Sequence, residues 1–147
     1  MSDFKNRQSA EILNSIYRNA EMAYESTGDI MKRCRNTKFY GELAAERERY
    51  KNVARQTRTE LSRRGETPKS VPPYAKTMAK MSIAMQTANN KSSANLAKIM
   101  VRGTTMGIID MQHAVNRSHA AEQSIRDDSE ELLRREQAFC DHLKRYL

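Results

Sequence analysis

Glycine and proline are scarce: 5 Gly and 3 Pro in 147 residues leave too few chain breakers for a fold of short strands and turns. The 2 cysteines, Cys34 and Cys140, show no CxxC spacing. A secreted disulfide scaffold would need more of them, and a zinc knuckle would need them closer together. No run reaches the roughly 18 to 20 apolar residues that span a bilayer. Met1-Ser2-Asp3-Phe4-Lys5 lacks the basic-then-apolar order of a signal segment. The expectation is a soluble, cytoplasmic protein in a reducing compartment, with both thiols buried as small apolar groups. There is no glycine-rich phosphate loop, and no serine or cysteine has a base at motif spacing.

The residues that are abundant form helices. Ala, Met, Leu, Glu, Lys and Arg dominate, and 38% hydrophobic with 30% charged residues suits one domain with a proper core. Apolar residues recur at helical spacing over about 9–34, 38–64, 93–116 and 120–147, with a shorter stretch at about 74–88. The first stripe runs through Leu13, Ile16, Tyr17, Ala20, Tyr24, Thr27, Met31 and Cys34. The second has Phe39, Leu43, Glu46, Tyr50, Val53, Thr57 and Leu61. Met78, Met81 and Met85 are expected inward on the short helix, and Met100, Gly103, Met106, Gly107 and Asp110 inward on the third long one. The fourth stripe passes through Ile125, Leu132, Leu133, Glu136, Cys140, Leu143 and Leu147.

Thr37 and Ser118 are the expected N-caps of the second and last helices, and Arg63-Arg64-Gly65 is a strong helix stop. Pro68, Pro72 and Pro73 force an extended segment. A single helix from 74 to 116 would overshoot its neighbours by more than about 20 Å at 1.5 Å per residue. The short helix therefore reads as part of a crossover over 66–91. The expected fold is all-α: one four-helix bundle over 1–147, with that crossover between helices two and three.

The helix lengths, the Pro-marked crossover, and Glu46 and Glu136 in mid-helix together resemble the ferritin-like superfamily. More narrowly, the chain is similar to small bacterial ferritin-like families of unknown function. The resemblance implies a di-metal layer, built from a Glu on each of two helices and Glu-x-x-His on each of the other two. Glu46 and Glu136 match the motif glutamates, but Arg49 and Phe139 stand where the histidines belong. Helix one offers Glu21 only on the flank of its stripe, and helix three offers Thr104. The site thus reads as eroded. With ferritin-like connectivity, the helical rise brings Tyr24, Glu46, Gly103 or Thr104, and Glu136 to one depth.

Buried carboxylates must be paired, hydrogen-bonded or protonated. Arg47, Tyr17, Tyr24 and Tyr50 are the candidate partners, with Asp110 and His113 (i, i+3) a further polar pair. His119 and His142 recruit no function. The leading expectation is a non-catalytic structural or interaction protein without a cofactor. It would self-associate or dock a partner through Met78, Met81 and Met85. One alternative is a carboxylate-rich di-metal protein for Fe or Mn, using Glu46, Glu136 and Glu21 or Glu42.

The other alternative is a binder of nucleic acid or another polyanion. The net charge is +8, with eleven Lys or Arg against five Glu between 32 and 66. Glu and Arg alternate there as on a solvated helix face.

Overall fold

The computed structural model describes residues 2–147. Five α-helices account for most of them: α1 (Ser2–Met31), α2 (Thr37–Arg63), α3 (Pro73–Thr87), α4 (Ser93–Arg117) and α5 (Gln123–Leu143). A 3-10 turn, Lys144–Tyr146, follows, and there is no strand among the described residues. Among the described residues no helix is long and apolar enough to cross a membrane.

Helix boundaries follow capping chemistry more closely than apolar periodicity. α1 begins at Ser2 and not near Ser9, with Asp3 in its first turn, where an acidic side chain meets the positive end of the helix dipole. Residues 3–7 are exposed and polar on most sides, so no apolar stripe announces them. α1 stops at Met31, three residues short of Cys34, in two turns closed by Arg33 N–H to Ile30 O (3.0 Å) and Cys34 N–H to Met31 O (3.1 Å). Asn36, and not Thr37, caps α2: its Oδ1 accepts the Phe39 N–H at 2.9 Å.

At the other end of α2, Gly65 (φ 74°) donates to Ser62 O at 3.0 Å while Glu66 donates to Leu61 O at 2.9 Å. That is a Schellman stop, which needs the left-handed conformation glycine adopts without steric cost. α5 begins at Gln123, later than the expected 120. Ser118 does not cap it; it is buried and its hydroxyl donates to Glu11 of α1 at 3.3 Å.

Long-range bonds set the directions of the helices. As the crossover advances, it meets successively later parts of α1. Lys69 N–H donates to Asn14 Oδ1 (2.9 Å) and Val71 N–H to Glu21 Oε1 (2.8 Å). Farther on, Lys80 pairs with Asp29 (3.1 Å) and Arg33 Nε donates to Thr87 Oγ1 (2.7 Å). α3 therefore runs alongside α1 in the same sense. Ser92 Oγ caps α4 by accepting the Asn95 N–H at 3.2 Å. α4 then descends antiparallel to α1: Gly107 lies against Asn19, and Ser118 reaches Glu11. α5 starts beside Ser9, whose Oγ accepts the Glu122 N–H at 2.9 Å, and rises past Glu46 to His142, which meets Glu42. α1 and α5 thus point one way, and α2 and α4 the other.

The rotation of two helices differs from expectation. On α4 the inward positions are Met100, Thr104, Gly107 and Met111, whereas Gly103, Met106 and Asp110 are exposed. On α3, Ile83 and Thr87 are buried, and Met78, Met81 and Met85 are 66%, 58% and 76% exposed. α3 carries apolar residues on two faces. The face with small Ala79 and with Lys80 opposite Asp29 allows the closer approach to α1, which turns the methionines out.

Two apolar clusters form the core. One gathers Ile12, Leu13, Ile16, Leu61, Met111, Val115, Ile125 and Leu133. The other gathers Ile30, Phe39, Leu43, Leu96, Ile99, Met100 and Leu143. Along every long helix a polar residue falls between the two: Thr27 on α1, Glu46 and Tyr50 on α2, Thr104 on α4 and Glu136 on α5.

A carboxylate pair bridged by arginine

Glu136 is 2% exposed and projects from the middle of α5 toward α2. The Arg49 guanidinium lies between it and Glu46. Nε donates to Glu46 Oε1 at 2.9 Å. Nη2 donates to Glu46 Oε2 and also to Glu136 Oε1 at 3.0 Å. The second oxygen of Glu136 accepts the Tyr50 hydroxyl at 2.8 Å. The fork of Arg49 thus holds Glu46 at both oxygens, the planar bidentate geometry guanidinium favours. Arg49 also lies over the Tyr50 ring, 5.2 Å from its centroid.

The electrostatics follow from burial. Withdrawal from water pushes the Glu136 carboxyl above its ordinary range, against the pull of the Tyr50 hydroxyl and of Arg49. The Tyr50 phenol is driven up by burial and by the neighbouring charge of Glu136, so it remains a hydrogen-bond donor. Burial works against the charge on Arg49, but the Glu46 hydrogen bond and the two carboxylate charges outweigh it and hold the guanidinium protonated. One nitrogen of Arg49, Nη1, is buried without a partner.

The expected residues fall in different places. Glu46, Tyr50 and Glu136 meet. Arg47 does not join them: its Nε donates to Tyr24 O at 3.1 Å and its guanidinium lies 4.0 Å from the Tyr24 ring centroid. Arg47 and Tyr24 therefore pair at the α1–α2 seam, over Gly28, where an added Cβ would come within 2.9 Å of the guanidinium. Glu21 accepts from Val71 N–H (2.8 Å) and Tyr17 OH (3.4 Å), and so fastens the crossover. Asp110 and His113 are exposed, since Met111 takes the inward position between them. Cys140 is buried, but Cys34 is only half-buried.

Three features escaped the sequence reading. Arg49 is the cation, signalled only by its i, i+3 spacing from Glu46. Thr27 is fully buried, and its hydroxyl has no partner. His142, read as outward and idle, meets Glu42 at 2.7 Å, and Tyr146 donates to the same carboxylate oxygen at 2.8 Å. Those two bonds hold the Glu42 carboxyl below its ordinary range, although burial opposes them.

The carboxylate pair does not fit a di-metal centre. Among the described residues no three His, Cys, Asp or Glu side chains converge, and a guanidinium, which cannot ligate, occupies the space between Glu46 and Glu136. The basic second helix is also a thinner surface than its composition implies. Arg47 and Arg49 turn inward, and Arg64 pairs with Glu60 and Glu122, leaving Lys38, Lys51, Arg55, Arg58 and Arg63 exposed.

Glu136 and Tyr50 also form the inner end of a cleft of about 270 Å³. Compared with protein-family models, with curated proteins and with solved structures, the chain matches none.

Proposed function

We propose that the protein is a non-catalytic helical bundle of ferritin-like connectivity, with a guanidinium in place of the di-metal group, and that it serves as a structural or interaction protein. The connectivity draws support from the helix directions, with α1 and α5 one way, α2 and α4 the other, and a single crossover through α3. The observation that carries the reading is Arg49 between Glu46 and Glu136. A fixed internal cation stands between the carboxylates that would otherwise hold a metal, without redox chemistry or an open coordination position. Protein purified from cells supplied with iron and manganese is expected to carry almost no metal by elemental analysis. Retention of about two metals per chain, as a di-metal centre requires, overturns the reading.

The contact surface in this proposal is the outer stripe of α3: Tyr74, Met78, Met81 and Met85, all exposed. Spaced i, i+4, i+7 and i+11, they form an adaptable apolar strip about 16 Å long. Lys76 and Lys80 do not repel a second copy strongly, because they face Glu21 and Asp29. A two-fold pairing of this strip with itself is the simplest closed assembly. Sedimentation of the wild type and of Met81→Glu tests it: the dimer is expected to be lost in the variant. A wild-type monomer at high concentration rejects self-association.

A further inference from the structure

The cleft beside the carboxylate pair has the form of a ligand site. Met22, Ala23 and Ile30 of α1, Ile83 of α3, and Ile99 and Met100 of α4 line it, and its inner end is polar. Glu136, Tyr50 and Thr27 all belong to that lining, and the Thr27 hydroxyl is fully buried and makes no hydrogen bond. A buried hydroxyl without a partner is costly to keep, and this one lies on the wall of a space large enough for a small molecule. Engineered cavities of about 150 Å³ hold benzene, so about 270 Å³ takes on the order of ten non-hydrogen atoms. α3 has few contacts with α4, and the seam between them, edged by Gln86, Arg102 and Met106, is the way in.

Charge selects the head group. Glu46 and Glu136 share one guanidinium, so one negative charge is left uncompensated whenever both are ionised. Each Glu136 oxygen is engaged by one donor and retains acceptor capacity for another. Arg102 is exposed at the mouth, where water screens it. We infer that the cleft binds a small primary amine with an apolar tail, its ammonium donating to Glu136 and Thr27 and its tail lying among Met22, Ile83, Ile99 and Met100.

The test compares n-hexylamine, 1-hexanol and hexanoate at pH 8, following methyl resonances of the full chain. Hexylamine is expected to saturate shifts at Met22, Ile83, Ile99 and Met100 with a dissociation constant on the order of 1 mM or tighter. Hexanol should bind about tenfold more weakly, and hexanoate should not saturate. Thr27→Val keeps the side-chain shape and removes only the orphan hydroxyl. It should weaken hexylamine about fivefold without lowering thermal stability. Glu136→Gln should weaken the amine but not the alcohol. The inference is overturned if hexylamine leaves those methyls unmoved, if hexanoate binds more tightly than the amine, or if Thr27→Val leaves amine affinity unchanged. None of these outcomes bears on metal content or on self-association, so this inference and the proposed function fail separately.

Discussion

With Arg49 removed, Glu136 would keep only the Tyr50 hydroxyl as a donor and would face the partly exposed Glu46 without an intervening cation. Breaking such a group by deleting one partner costs about 3 kcal/mol or more, so Arg49→Met should lower the urea midpoint sharply. Adding Glu136→Gln should recover part of that loss, because the two residues share a bond and their effects will not add. Burial holds the Glu136 carboxyl above its ordinary value near 4.5, so the native chain keeps a proton that the unfolded chain releases. Its contribution to stability is full below the unfolded value and fades as pH rises through the folded one. The stability of wild type minus that of Glu136→Gln is therefore expected to fall across this window in denaturant titrations. A difference that grows with pH would show the carboxylate stabilised as the anion instead. At this scale the sequence was half readable. An isolated glutamate inside an apolar stripe is a local signal. Its partner on α5 is not local, since beyond the i, i+3 spacing from Glu46 nothing favours Arg49 over Arg47 until α2 is rotated against α5.

At the scale of single helices, two glycines separate backbone need from free space. Gly65 stands at a positive φ, so Gly65→Ala should cost about 1–2 kcal/mol through the left-handed backbone alone. Gly103 lies within α4 with nothing in reach of an added Cβ, so Gly103→Ala should stabilise by about 0.5–1 kcal/mol. Thermal melts of the two variants should move in opposite directions. The helix stop at Gly65 was readable because the Arg-Arg-Gly pattern acts through its own backbone. The start of α1 was not, because residues 3–7 lack an apolar stripe and extend a helix that packing farther along already holds. The faces of α3 and α4 were misjudged for a different reason. Both helices carry apolar or small residues on more than one side, and only close approach to α1 decides which side is buried.

Across the whole molecule, a polar layer of Thr27, Tyr50, Thr104 and Glu136 separates two apolar clusters. Replacing a buried ion pair by well-packed apolar residues is often neutral or stabilising. Replacing the network together, with Glu46→Met, Arg49→Leu, Tyr50→Phe and Glu136→Leu, should leave the chain as stable or about 1–4 kcal/mol more stable by urea titration. Substantial destabilisation would mean that the network holds the layer energetically as well. What the sequence determined by itself was local: five helical segments from periodicity, the crossover from its prolines, and the glutamates from their place in a stripe. Only the tertiary structure decided the rotation of α3 and α4, the choice of Arg49 as the bridging cation, and the cleft that ends at Thr27. The physical reason is reach. Periodicity and capping act within a few residues, whereas a guanidinium on α2 finds its carboxylate on α5 only after two helices far apart in the chain have packed.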